Sequence, residues 1–311
     1  YIHSASNTSA TLSATPQPAL IGLHQRGSNA LTLMKELQNV VTKGNVVGVF
    51  IEARPGQQSW LSKPLGTGHS GGLTMDSPSP IEALDWNADP EGASDDRIFI
   101  LRVLTTLRDL QARHMSGTVV NGIDFSHVYG YGEGEGAELL MQLAKSTSVL
   151  QKVVVRGSLL QEIYGRPQLQ TGRPVRALLL EGTEDREYPY KGGSPRAQHE
   201  GVSAATLHYL SAKQTAQFLG GTRDIACGTA RLRPLSKHVA ENTYDCEGKV
   251  VLVSIKGADH DFNDHAVTGG VHHMIAEYLK EEVEEEERKS FHRRRIRDVA
   301  SDRAEAMTEV F

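Results

Sequence analysis

The feature that most constrains the fold is residues 118–144, where an apolar run, a glycine-rich turn and a helical pattern follow one another directly. The β-branched and aromatic residues before Gly130 predict a strand, and the leucines between Ala137 and Ala144 predict a helix. The turn contains glycines at every second position: Gly130, Gly132, Gly134 and Gly136. Glycine lets the chain turn sharply and lets a strand and a helix pack closely. The segment therefore predicts a strand, a tight turn and a helix in immediate succession.

Strand and helix patterns alternate along the rest of the chain. Apolar strands are predicted at 19–23, 46–52, 152–156, 174–180 and 249–256. Helices are predicted at 31–41, 95–113 and 203–219 and from residue 271 onward. This alternation predicts an α/β fold with a doubly wound, mostly parallel sheet and helices on both faces.

The length and composition suit one large domain with extensions. A chain of 311 residues with 39% hydrophobic residues can bury a substantial core. We divide it into a Ser/Thr/Pro-rich leader or linker at 1–18, an α/β domain at 19–280 and a charged C-terminal helical extension at 281–311. The chain starts at Tyr1 rather than methionine, which suggests a processed N-terminus and an organellar or secreted protein. The compartment stays open.

Charge and hydropathy exclude two classes of partner at the level of the whole chain. The net charge of -5 and the sequence pI of about 6.2 provide no global attraction to nucleic acid. No run of eighteen apolar residues is present, so the sequence predicts no membrane span. Protein partners are expected through the N-terminal leader, the Pro/Gly/Ser-rich loop at 56–95 or the C-terminal helix.

Four segments together resemble the esterases of the α/β-hydrolase fold, nearest to the polyhydroxybutyrate depolymerase and feruloyl esterase group. Residues 23–30 (LHQRGSNA) are similar to the family's oxyanion turn, and residues 124–129 with the glycine turn resemble its approach to the nucleophile. Residues 182–193 resemble the segment that carries the acid, and residues 257–260 (GADH) resemble the turn that carries the histidine. The resemblance covers roughly residues 19–280, and the order of these segments is the α/β-hydrolase order.

The resemblance implies roles for individual residues. Asp185 and His260 match the acid and the histidine of a catalytic triad, and Gly134 stands where the nucleophile serine of G-x-S-x-G is expected. The region of the oxyanion hole falls on His24, Gln25 and Glu135. Cys227 and Cys246 lie where such esterases often have a disulfide, although their spacing by itself leaves free thiols equally open.

Three departures from the family pattern argue against hydrolysis. Gly134 has no nucleophilic atom, and Gln25 replaces the glycine that usually follows the oxyanion-turn histidine. Glu133 and Glu135 place carboxylates where they are expected to oppose the negative charge of an oxyanion. The sequence therefore predicts a catalytically inactive esterase-like protein that serves as a structural or binding subunit of a larger assembly, with a small-molecule or ester ligand as a residual option.

The alternative is a carboxylic ester hydrolase, either inactivated by substitution at Gly134 or using Ser70. The segment 68–72 (GHSGG) matches G-x-S-x-G literally, but no strand pattern precedes it and no helix pattern follows it. We expect no cofactor, because the glycine turn lacks the lysine and Ser/Thr of a phosphate-binding loop. We expect no metal either, because no histidine or cysteine spacing matches a zinc pattern.

Overall fold

The computed structural model describes residues 2–4, 16–53, 95–113, 122–162, 174–195, 208–221, 227–245, 248–260, 262 and 270–280. The strands are β1 (Ile2–Ser4), β2 (Gln17–Leu23), β3 (Val47–Ile51), β4 (Ile123–Glu133), β5 (Lys152–Arg156), β6 (Arg176–Gly182), β7 (Arg231–Pro234), β8 (Val239–Asp245) and β9 (Lys249–Ile255). The helices are α1 (Ala30–Glu36), α2 (Gln38–Gly44), α3 (Asp95–Ala112), α4 (Gly134–Ser146), α5 (Ala212–Gly220) and α6 (271–280).

All the strands belong to one sheet in the order β1-β3-β2-β4-β5-β6-β9-β8-β7. The centre, from β3 to β9, is parallel, whereas β1 at one end and β8 and β7 at the other are antiparallel to their neighbours. Because β4 occupies the middle of this sheet and leads directly into α4, the chain has the α/β-hydrolase fold. The predicted doubly wound, mostly parallel sheet is confirmed.

Helices cover both faces of the sheet, which explains the uninterrupted apolar runs of its strands. Helices α3, α4 and α5 pack on one face and α1, α2 and α6 on the other. In β6 the side chain of Leu179 enters the first core cluster, whereas Leu178 and Leu180 enter the second. Among the described helices, none has the length and hydropathy that crossing a bilayer requires.

The predicted strand, tight turn and helix are confirmed at the junction of β4 and α4. A Cβ atom at Gly132 would lie 2.5 Å from the Cα of Ala137, and one at Gly136 would lie 2.5 Å from the carbonyl oxygen of His24. Both distances are far below van der Waals contact, so only glycine fits at either position. Gly134 itself has a φ of +50°, in the left-handed region.

Two predicted helices differ from the structure. The helix predicted over 31–41 is divided into α1 and α2 at Leu37, whose fully buried side chain and non-helical ψ of 4° redirect the chain. The helix predicted over 203–219 begins only at Ala212, because Ser211 and Gln214 form a capping box there. Residues 203–207 lie outside the described part of the chain.

The strands at the two ends of the sheet escape prediction. Residues 227–245, expected to be mostly loop, contain the β7–β8 hairpin, and every residue of β7 is exposed, so the hairpin has no apolar alternation to reveal it. In the predicted leader, Ile2–Ser4 pair with β3, and β2 already begins at Gln17. The division into leader, domain and extension stays a prediction. Cys227 is disulfide-bonded, and Cys246 lies outside the described residues.

Candidate functional site

Asp185 and His260 meet at the carboxyl ends of two neighbouring parallel strands. Asp185 follows β6 and His260 follows β9, and Oδ2 of Asp185 lies 3.0 Å from Nδ1 of His260. The other carboxylate oxygen of Asp185 accepts the backbone N–H groups of Glu187 and Tyr188, each at 2.8 Å. Since the Asp185 side chain is fully buried, these bonds fix its orientation toward the imidazole. The structure thus brings the predicted acid and histidine together.

The side chain of Gln25 lies where a nucleophile is expected. Its Oε1 is 3.3 Å from Nε2 of His260, the nitrogen that faces away from Asp185. A Cβ atom built on Gly134 would lie 3.2 Å from Cβ of Gln25 and 3.9 Å from its Oε1. The amide of Gln25 therefore takes both the space beside position 134 and the contact with His260 that a serine hydroxyl would make in a triad. The sequence indicated only that Gln25 was unusual in its turn.

His260 has polar groups near both of its ring nitrogens. One ring nitrogen faces the Asp185 carboxylate, and the other faces the Gln25 side-chain amide and, at 3.9 Å, Oε2 of Glu187. The ring of Tyr188 stacks on the imidazole with centroids 5.5 Å apart.

The two glutamates beside Gly134 are both neutralised by arginines. Arg156 Nη1 lies 2.8 Å from Oε1 of Glu133, which also accepts the Tyr131 hydroxyl at 2.5 Å. Glu135 is paired with Arg26 of the oxyanion turn. The expectation that these carboxylates oppose an oxyanion by their net charge does not hold, because each one forms an ion pair. The burial of Tyr131 and the charge of Glu133 raise the pKa of the Tyr131 phenol well above 10.0.

His24 has a supporting role in the oxyanion turn. Its side chain is completely buried, its Nδ1 lies 2.8 Å from the carbonyl oxygen of Gln25, and its Nε2 accepts the N–H of Ala53 at 3.2 Å. These contacts join the turn after β2 to the chain after β3. The imidazole thus stabilises the turn from inside the protein.

Two further carboxyl groups are buried near the site. Burial and the charge of Asp185 raise the pKa of Glu181 well above 4.5, while its Oε1 accepts the N–H of Ser158 at 3.2 Å. Burial and the charge of Glu135 raise the pKa of Glu138 in the same direction. Their fully buried side chains favour the neutral, protonated form because the protein interior disfavours an uncompensated charge.

A separate cluster of Ser, His and Asp occurs at the opposite end of β4, but it is not a catalytic triad. Nδ1 of His127 contacts both Oδ2 of Asp124, at 2.6 Å, and Oγ of Ser126, at 3.0 Å. A triad requires the hydroxyl and the carboxylate on different ring nitrogens. The cluster therefore stabilises the start of the strand through local hydrogen bonds.

Two further predictions from the sequence concern Ser70 and a metal site. Ser70, in the 56–95 loop, lies outside the described residues. Within the described ranges, no group of three or more His, Cys, Asp or Glu side chains is arranged to hold a metal ion.

Known proteins resemble this chain in structure but not in sequence. No protein-family model and no curated protein sequence matches it. Solved structures that it resembles include the acetyl xylan esterase from Aspergillus awamori, with 11% identity, a TM-score of 0.49 and coverage of 84% of this chain and 88% of that one. They also include esterase PE8, with 13% identity, a TM-score of 0.48 and coverage of 90% and 97%. Acyl-protein thioesterase 2 of Zea mays has 13% identity, a TM-score of 0.46 and coverage of 90% and 98%.

The esterase-like fold therefore rests on the chain's own geometry, namely the sheet order, the turn at Gly132–Gly136 and the Asp185–His260 pair. At such low identity, the neighbouring structures provide no evidence about activity.

Proposed function

We propose that this protein is an esterase-like member of the α/β-hydrolase fold that has lost its nucleophile and acts by binding rather than by hydrolysis. The observation that carries the proposal is the position of Gln25, whose amide oxygen contacts His260 beside a glycine that bears no reactive atom. Ester cleavage by a triad needs a hydroxyl or thiol that the histidine can deprotonate. The described groups at Nε2 of His260 are the side chains of Gln25 and Glu187.

Loss of the nucleophile accounts for a large loss of rate. Removing the serine of a well-studied serine protease lowers turnover by about a million-fold. Gln25 adds a second obstacle, since a Cβ atom at position 134 would lie 3.2 Å from Cβ of Gln25, which is tighter than ordinary contact. We therefore expect that a serine at position 134 alone restores little hydrolysis.

The proposal is tested by rebuilding the triad in two steps. Hydrolysis of p-nitrophenyl butyrate and of a feruloyl ester is measured for the wild type, Gly134→Ser, Gln25→Gly and the double variant. We expect no turnover above buffer for the wild type and little for Gly134→Ser, whose new Cβ would lie 3.2 Å from Gln25. We expect the double variant to hydrolyse ester, since the left-handed φ of +50° at position 134 is the strained geometry of a nucleophile turn.

His260→Ala in the double variant is the matched control and should abolish the gained activity. Turnover by the wild type that disappears in His260→Ala would contradict the proposal. A double variant that folds but stays inert would show that the Asp185–His260 pair no longer supports ester hydrolysis. The proposal that this protein is an esterase that lost its nucleophile would then be contradicted.

The intact Asp185–His260 contact also favours a second candidate, a carboxylic ester hydrolase that takes its nucleophile from elsewhere in the chain. Ser70 is the sequence candidate. The alternative predicts wild-type hydrolysis that Ser70→Ala abolishes and Gly134→Ala leaves unchanged.

A structural or binding role in a larger assembly completes the proposal. It is supported by two features of the sequence, the Pro/Gly/Ser-rich segment at 56–95, which predicts a long loop, and the charged segment at 281–311. The test is the mass of the native protein in an extract of its source, compared with that of the purified chain. Equal masses would contradict the assembly.

A further inference from the structure

The β7–β8 hairpin extends the sheet past β9 and leaves a groove beside α6. The groove has a volume of about 500 Å³. We call it the edge groove. Its lining includes the apolar residues Leu178, Val251, Met274 and Tyr278, the arginines Arg231 and Arg233, and the acidic residues Glu241 and Glu277.

The floor of the edge groove changes from apolar to cationic toward the sheet edge. In the strand register Leu178 lies opposite Val251, Val251 opposite Thr243, and Thr243 opposite Arg231. Arg231 and Arg233 stand two residues apart on β7 and therefore project to the same face. The groove thus combines an apolar strip under α6 with two guanidinium groups at its outer rim.

The two arginines are accessible to a further carboxylate. Their side chains are 76% and 68% exposed, and each makes a single-oxygen contact with an acidic residue of β8, at 2.6 Å. Ion pairs with exposed arginines contribute little to stability. A guanidinium has five N–H donors, so each arginine can accommodate a second carboxylate without losing the first.

The last described residues of α6 lie beside this groove. Nζ of Lys152 donates to the carbonyl oxygens of Tyr278 and Leu279, at 2.9 and 3.5 Å, and holds this part of the helix against the core. Tyr278 itself lines the groove. The sequence then continues as EEVEEEE at 281–287, with six glutamates in seven residues.

The acidic run is long enough to reach the arginines. From Leu178 to Arg231 the register crosses three strand-to-strand spacings, or about 14 Å at about 4.8 Å each. Reaching the arginines requires an extended conformation in place of the helix predicted for this segment. An extended chain covers about 3.4 Å per residue, so four or five residues span this distance. We propose that residues 281–287 of this chain bind the edge groove, with their carboxylates on Arg231 and Arg233. Because the segment is attached at the groove, its effective concentration there exceeds that of any separate chain.

Hydrogen exchange of the full-length chain tests the proposal in four forms. These are the wild type, the tail variant Glu284→Lys/Glu285→Lys/Glu286→Lys, the rim variant Arg231→Glu/Arg233→Glu, and the combination of the two. We expect the tail variant to speed exchange of the β7–β8 amides by about tenfold, because several weak ion pairs are lost together. The combination, which restores opposite charges, should recover most of the wild-type protection.

The rim variant also breaks the ion pairs that Arg231 and Arg233 form within the hairpin. The tail variant and the combination therefore provide the test of the proposal. Arg186→Glu is the control, because Arg186 is an exposed arginine that is paired with Asp259 beyond the carboxyl end of β6, an interior strand of the sheet. It should leave exchange in the hairpin unchanged. Unaltered hairpin exchange in the tail variant, or no recovery in the combination, would overturn the proposal. Protection that grows with protein concentration would also overturn it, since it would assign the groove to a second copy.

Discussion

The clearest quantitative prediction concerns Gly136, at the start of α4. A methyl group at this position would lie 2.5 Å from the carbonyl oxygen of His24 and 2.7 Å from that of Leu23, whereas ordinary contact begins at 3.4 Å. Backbone atoms at the end of β2 must therefore move by nearly an ångström. Overpacking of a core typically costs 1–3 kcal/mol, and because rigid backbone is displaced here we expect Gly136→Ala to lower the free energy of unfolding by about 3 kcal/mol.

The measurement is urea unfolding at pH 7, with Gly228→Ala as the matched control. A Cβ atom at Gly228 meets no heavy atom within 4 Å, so that variant should change the free energy of unfolding by less than about 0.5 kcal/mol. The m-value should stay constant in both variants, since the surface exposed on unfolding does not change. If Gly136→Ala costs no more than the control, close packing of β2 against α4 is not the reason for glycine at this position.

Two further predictions concern buried lysines. Lys152→Met should lower the free energy of unfolding by about 2–4 kcal/mol in urea titrations, because the carbonyl of Tyr278 in α6 loses a donor at 2.9 Å and the rings of Tyr129 and Tyr278 lose a nearby cation. A loss below about 0.5 kcal/mol would contradict this account of how α6 is held. Burial lowers the pKa of Lys145 to about 8 from 10.5. Between these pH values the unfolded chain therefore binds more protons than the folded one, so the free energy of unfolding rises with pH. Relative to Lys145→Met, the wild type should gain at most about 3 kcal/mol of stability as the pH rises from 8 to 10.5. A pH-independent difference would refute the shift.

The structure changes the reasons for expecting inactivity. The missing hydroxyl at Gly134 is plain from the sequence, but the expected repulsion by Glu133 and Glu135 is removed by Arg156 and Arg26. In its place stands Gln25, whose side chain occupies the space beside Gly134 and contacts His260. In the sequence, Gln25 was notable only because it replaces a glycine of the oxyanion turn. In the structure, its side chain provides the strongest argument against hydrolysis.

Local patterns determined much of this protein in advance. Strands buried on both faces appear in the sequence as continuous apolar runs, as at Lys152–Arg156. The glycines of the β4–α4 turn predict a close approach of two backbones. The proximity of Asp185 and His260 could also be predicted from the sequence, because the carboxyl ends of neighbouring parallel strands meet at one edge of a sheet. These features depend on periodicity and on the steric limits of single residues.

Only the tertiary structure decided the rest. Strand β7 is exposed along its whole length and has no apolar pattern, because it is held by pairing with β8 rather than by its own burial. Ion pairs such as Arg26–Glu135 join residues 109 positions apart, and the contact of Gln25 with His260 joins residues 235 apart. Side-chain contacts at such separations depend on how the whole sheet and its helices pack, which no local sequence pattern encodes.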